Sequence, residues 1–172
     1  MQTTEPPRAP EDRRRDVLAR LRTERDVWVA SAGGSGLPYL VPLWFLWDGE
    51  AVWLATRATN PTAGNLRDHG RVRLALGDTY DVVLVDGTVE VFGAGDVPPA
   101  AADAYAARHG WDPRREPRAY AYLRVLPHAV QAWRGEHELA GRHLLRDGER
   151  LGGGEGPGGG GRPDKDEGGG RG

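Results

Sequence analysis

Between positions 41 and 65 the chain carries the groups needed to hold a flat, phosphate-bearing ligand. The rings of Trp28, Trp44, Phe45, Trp47 and Trp53 fall on neighbouring apolar runs, and such rings serve core packing as readily as ligand stacking. Directly after them come Thr56, Arg57, Thr59, Thr62 and Asn65. Hydroxyl and amide groups gathered at a strand end exchange hydrogen bonds with a polar ligand, and Arg57 adds a charge suited to an anion. Thr59 or Asn60 can cap a helix that starts at Pro61. A helix start facing a strand end attracts anions.

Other chemistries fail on spacing. His137-Glu138 opens like a zinc-protease helix, but the fourth residue after His137 is Gly141, so the second ligand of that motif is missing. His137 and His143 have no third partner in their segment, and no metal site is expected. No glycine cluster is followed by Lys-Ser or Lys-Thr, as a phosphate-binding loop requires. The only serines are Ser31 and Ser35, and neither sits in a Gly-x-Ser-x-Gly elbow. Cysteine is absent, which removes disulfides, thiolate ligands and Cys nucleophiles. The net charge of −2 creates no field drawing the chain to nucleic acid or to an anionic membrane. Interleaved Trp and Arg could stack single-stranded bases, but the acidity and the apolar strands argue against it. No apolar run approaches the roughly 20 residues that span a bilayer, and MQTTEPPRAPEDRRR has no hydrophobic segment of the signal-peptide kind. The expected location is the cytoplasm, with no membrane partner.

The elements that must position these groups follow from periodicity and turn chemistry. Asp26–Ala32 and Leu37–Trp47 read as strands joined by Gly33-Gly34-Ser35-Gly36, and Asp48-Gly49 closes a tight hairpin onto Ala51–Thr56, because both turn residues tolerate positive φ. Pro42 cannot donate to a ladder, so it requires an edge or a bulge. Val72–Leu76 and Val82–Val91 continue the sheet, the second interrupted by a turn or bulge at Asp86-Gly87. Ala100–His109 reads as a helix ended by Gly110, Tyr120–Trp133 as a long strand, and Arg142–Leu151 as a last hairpin turning on Asp147-Gly148. At the start, Glu11–Arg22 is a helix with an apolar stripe of Val17, Leu18 and Leu21. Its Arg13-Arg14-Arg15 run reads as a solvated face. Met1–Pro10 is expected to be disordered, residues 11–151 to form one domain, and Gly152–Gly172 to be a flexible tail. Six or seven hairpin-linked strands with helices at the ends and in one crossover point to an antiparallel barrel.

The hairpin VPLWFLWDGEAVWLATR, the following NPTAGNLRDHGRVRLALG and the later DVVLVDGTVEV resemble the pyridoxamine 5′-phosphate oxidase-like group of flavin-binding split β-barrels, over about residues 25–95. The segment AWRGEHELAGRHLLRDG more loosely resembles the C-terminal part of some members. The resemblance implies a mainly β fold, a six-stranded antiparallel Greek-key split barrel with flanking helices. It further implies a homodimer holding FMN or the deazaflavin F420 at its interface, and hydride transfer through that cofactor to a small organic substrate. Val41, Pro42, Leu43 and Trp44 would border the cofactor ring, and Ala55, Thr56 and Arg57 would present backbone and side-chain groups to it. The loop and helix start, with Thr59, Thr62, Gly64 and Asn65, would hold the phosphate.

Because the cofactor carries the hydride chemistry, no catalytic residue is assigned; Tyr80 and His143 are candidate proton donors. Where many members have Lys-x-Arg-Asn-Leu, this chain has Thr62-Ala63-Gly64-Asn65-Leu66. Both cationic positions are neutral. At roughly 1.5–3 kcal/mol for each charge-assisted hydrogen bond, that loss weakens phosphate binding unless Arg57, Arg67 or an arginine of a partner chain compensates. Members that oxidise pyridoxamine phosphate carry a basic C-terminal arm, and here a glycine tail stands instead, so that activity is not expected. The alternative is a non-catalytic module of the same fold that binds a flavin, a deazaflavin or a haem-like ligand.

Overall fold

The computed structural model describes residues 5–146. In chain order the elements are α1 (Pro10–Thr23), β1 (Asp26–Ala32), β2 (Pro38–Trp47), β3 (Val52–Arg57), α2 (Pro61–His69), β4 (Arg71–Ala75), β5 (Asp81–Gly93), α3 (Pro99–His109), β6 (Tyr120–Arg134) and β7 (His143–Leu145). Strands neighbour one another in the order β3-β2-β1-β4-β5-β6-β7, and β3 also pairs with β6. That extra pairing closes β1 to β6 into a six-stranded antiparallel barrel. β4 returns beside β1, giving the order β4-β1-β2-β3 of a Greek key, and α2 lies in the crossover. The fold class expected from the sequence is the one observed.

Local chemistry explains the boundaries. Asp48 Oδ1 accepts from the Glu50 and Ala51 amides at 2.8 and 2.7 Å, and its Oδ2 accepts from Trp53 Nε1 at 2.6 Å, so one carboxylate locks the β2–β3 turn. Inward residues alternate along β1, where Val27, Val29 and Ser31 are buried. Phe45, Leu54, Leu74 and Leu123 fill the barrel. A second apolar cluster, including Trp53, Tyr105 and Tyr122, packs α3 onto the outside. At Asp86/Gly87 the β5–β6 register shifts: the expected interruption is a bulge, and β5 runs through it unbroken.

Two expectations at the N-terminus give way. Arg8 lies within the stretch expected to be disordered, yet its backbone N–H and its guanidinium donate to Glu138 at 2.7–2.9 Å. Arg13 is not solvated: it is buried and donates to the carbonyls of Arg8 and Glu138. Only Arg15 of that run keeps the expected exposure, beside Asp12. The cause is a carboxylate 130 residues away that no local pattern announces. Of the last hairpin, β7 pairs with β6; Asp147-Gly148, like Met1–Thr4 and the glycine tail, lies outside the described residues. Among the described residues no helix is long and apolar enough to cross a membrane, and no three metal-ligating side chains gather.

Candidate functional site

The barrel is split between β2 and β3. These strands pair only through Phe45–Trp47 and Val52–Leu54. Continuing the register would set Trp44 against Ala55, Leu43 against Thr56 and Pro42 against Arg57; instead the strands part, and those six residues line one cleft of about 550 Å³. Pro42 has no N–H to extend the ladder. The next rung is taken by a side chain: the Tyr105 hydroxyl, from α3, donates to the Trp44 carbonyl at 3.1 Å, and the Ala55 backbone N–H lies against the Tyr105 hydroxyl oxygen. Burial first, then neighbouring Tyr122, pushes the Tyr105 hydroxyl well above its usual range. It therefore stays a donor at any working pH.

The opposite wall comes from α3 and the residues after it. Tyr105 and His109 are four apart and share a helix face, and Gly110, at φ 64°, ends the helix in the left-handed region so that Trp111 folds back over the cleft. His109 stacks on Trp44 with centroids 5.3 Å apart and sits 4.5 Å from Tyr105. Trp111 meets Tyr120 edge-on at 5.1 Å, and the Arg25 guanidinium lies 3.9 Å from the Trp44 ring centre. His109 is 8% exposed, and neither ring nitrogen has a hydrogen-bond partner. Burial, the largest cause, and the Arg25 charge lower its pKa, so the ring is neutral at pH 7. The Phe45 backbone lies close and acts in the other direction, without reaching hydrogen-bond geometry.

The residues singled out from sequence fall into two groups. Pro42, Leu43, Trp44, Ala55, Thr56 and Arg57 come together on the cleft. Thr56 is buried, and its hydroxyl accepts from Asn60 Nδ2 at 2.9 Å; Asn60 thus uses its side chain on β3 while its carbonyl starts α2. Arg57 is exposed at the mouth and makes no ion pair or side-chain hydrogen bond among the described residues. Val41 instead packs against the barrel core, and Thr59 is exposed in the turn beyond β3. Thr62 is buried, so the position where many family members carry lysine is packed inside here. Gly64 has open space around it. Asn65 turns to β1 and donates to Ser31 Oγ at 3.2 Å. Neither of the candidate proton donors, Tyr80 and His143, lines the cleft; both are exposed. Sequence reasoning missed Tyr105, His109, Trp111 and Tyr120, for which the only local signal was the Tyr105/His109 spacing.

A family model for pyridoxamine 5′-phosphate oxidase matches residues 14–134. No curated protein matches the sequence. Solved structures are similar across the barrel. One is a conserved hypothetical protein of Mycobacterium tuberculosis, 22% identical, covering 72% of this chain and 85% of that one, with a TM-score of 0.56. Another is an F420 reductase, 21% identical, with coverage of 65% and 93% and a TM-score of 0.54. A third, from Clostridium acetobutylicum and related to general stress protein 26, is 15% identical, with coverage of 73% and 90% and a TM-score of 0.58. At these identities the likeness is one of fold. The family match runs from α1 to the end of β6 and takes in the closed barrel and both walls of the cleft: this chain belongs to the pyridoxamine 5′-phosphate oxidase family.

Proposed function

We propose that the protein is an oxidoreductase that binds FMN or F420 in the cleft between β2 and β3 and passes hydride to a small organic substrate. The observation that carries this is the parting of the two strands, which leaves aromatic rings on one wall and, at the mouth, an arginine with no ion pair among the described residues. The cleft volume of about 550 Å³ lies in the range of about 300–1,000 Å³ typical of small-molecule sites, and the donor set suits a flat ring with an anionic tail. When bound, such a cofactor supplies the hydride chemistry. The chain's own part is to exclude water with Trp44 and Trp111 and to meet the tail with Arg57 and Asn60. That a solved structure of this fold is an F420 reductase supports the reading.

Titration of the purified protein with FMN and with F420 tests it, and failure to bind either at high micromolar concentration would sink it. Arg57→Gln is expected to weaken FMN binding at least tenfold, the loss of one charge-assisted hydrogen bond. Riboflavin, which lacks the phosphate, should bind both forms alike. Equal loss for both ligands would place Arg57 on the ring and not on the tail. A second reading, a binding module without turnover, draws on the burial of Thr62, which leaves the helix start without its lysine. Cofactor-dependent reduction of an enone or quinone would dispose of it.

We also propose that a second copy of this chain covers the outer face of β1 and β2. Trp28 is 43% and Leu40 58% exposed, and they lie on neighbouring rungs of the ladder, opposite Pro42 and Ala30. Leu37 and Tyr39 are exposed at the entry to β2, and exposed apolar residues clustered in this way mark an interaction face. Light scattering should give twice the 18.7 kDa mass of the chain. A mass of one chain at all concentrations would rule the dimer out.

A further inference from the structure

We propose that a second cavity, on the outer face of β1, β4 and β5, binds a phosphomonoester whose phosphate is gripped by Arg71 and Thr88. It is separate from the cleft between β2 and β3 and does not rest on the flavin-site reading. The cavity has a volume of about 800 Å³, within the range of about 300–1,000 Å³ typical of small-molecule sites. Its shape follows from three local features. Val72 and Leu74 face the barrel core, so Arg71 and Arg73 alternate to the outside of β4. Beside them β1 contributes Ala30, Ser31 and Ala32, small residues that leave the space open. On β6 one extra residue, His128, is inserted between the rungs Asp86–Ala129 and Gly87–Pro127. A bulge of this kind turns its side chain out of the regular alternation, and His128 lines the cavity.

Two cross-strand pairs set the charge of the site. Arg73 faces Asp86 and donates to both of its carboxylate oxygens, at 2.6 and 2.9 Å, so these two charges answer each other. Two positions along β4, Arg71 faces Thr88. Both are exposed, and among the described residues neither side chain has a hydrogen-bond or ion-pair partner. Among the described residues lining the cavity, Asp86 is the only carboxylate, and Arg73 holds it. Arg71 is therefore left as a net positive charge on a concave wall, which attracts an anion. Directly opposed side chains of an antiparallel pair stand about 4.5–5.5 Å apart at Cβ, close enough for both to reach one phosphate. A carboxylate is satisfied by one guanidinium alone. The three terminal oxygens of a phosphomonoester take two donors from Arg71 and one from the Thr88 hydroxyl, and the body of the ester lies over Ala30 and Ala32.

Phenyl phosphate and benzoate, added separately to the full chain, test this, with the backbone amide resonances of Gly87 and Thr88 as the readout. Phenyl phosphate should shift both resonances saturably, and benzoate should bind about fivefold more weakly, for want of the Thr88 hydrogen bond. Arg71→Gln should weaken phenyl phosphate binding about tenfold, the loss of a charge-assisted contact, and Thr88→Val about fivefold. Both positions are exposed, so both variants should unfold at the wild-type midpoint. Arg57→Gln, which alters the other cleft, should leave this titration unchanged. Benzoate binding as tightly as phenyl phosphate would overturn the phosphate assignment. Resonances of Gly87 and Thr88 that stay still up to tens of millimolar phenyl phosphate, or an Arg71→Gln variant with wild-type affinity, would overturn the site itself. The flavin-site reading stands apart from each of these results.

Discussion

Replacing Glu138 with alanine is expected to lower the free energy of unfolding by about 3–5 kcal/mol, the scale of a buried ion pair that loses one member. Glu138 is 1% exposed. Its carboxylate accepts from the Arg8 backbone N–H, from two guanidinium nitrogens of Arg8 and from the Arg134 backbone N–H. Arg8 also reaches Asp16 on α1 and Asp81 at the start of β5, and Arg13 donates to the Glu138 carbonyl from the helix side. One carboxylate thus fastens the N-terminal segment and α1 to the far end of β6. Removing it leaves the Arg8 charge largely covered and short of its main partner.

The same group makes the clamp sensitive to acid. The hydrogen bonds from Arg8, the largest cause, hold the Glu138 pKa down at about 2, against 4.5 for a free side chain. A depressed carboxylate pKa contributes stability that is fully present above the unfolded value, and it is lost as pH falls from about 4.5 towards 2. That depression corresponds to roughly 3 kcal/mol. Denaturant unfolding of wild type and of Glu138→Gln between pH 7 and pH 2 should show the two curves converging across that window. Subtracting the variant cancels the other carboxylates that titrate there. A gap that is already below 1 kcal/mol at pH 7 would mean that Arg8 rests on Asp16 and Asp81 and not on Glu138.

The second large effect is expected at Gly87. A Cβ built there would stand 2.5 Å from Val125 Cγ1 and 2.9 Å from the Leu126 carbonyl oxygen. Val125 is β-branched and fully buried, so its methyl group yields little. The backbone oxygen belongs to β6 and moves only if the ladder moves, so Gly87→Ala should cost about 2–3 kcal/mol, in the usual range for overpacking. Pairing it with Val125→Ala separates the two contacts, since the double variant should recover the part due to the methyl group and keep the part due to the oxygen. Midpoints from urea unfolding measure both. A cost below about 0.5 kcal/mol for Gly87→Ala would show that the bulge slides freely along β6.

The bulge was partly legible beforehand. Asp86-Gly87 inside an apolar run signals a turn or a bulge, and local chemistry does not choose between them; thirteen ladder partners along β6 do. The hairpin at Asp48-Gly49 and the helix stop at Gly110 were legible because a turn depends on its own residues and their immediate neighbours. The six cleft residues from β2 and β3 were legible for a related reason. Once the hairpin register is set, Pro42 to Trp44 must face Arg57 to Ala55, and a proline in that stretch weakens the ladder.

The other half of the site was hidden. Tyr105 reaches Trp44 across 61 positions of sequence, and an Ala-rich helix with a Tyr and a His reads as an ordinary surface helix until something packs against it. Arg8 and Glu138, 130 positions apart, read as a solvated charge in a disordered arm and a fragment of a failed metal motif. Thr62 and Asn65 carry suitable groups in a suitable place, but the direction of a side chain on α2 depends on how that helix lies against β1 and the barrel core. By itself, then, the sequence determined the barrel, its hairpins and the polar run that follows them, because period and turn chemistry are local. Only the tertiary structure decided which strands part, what fills the missing rung and which histidine is left without a partner, because each of these is set by contacts between segments that the chain does not place side by side.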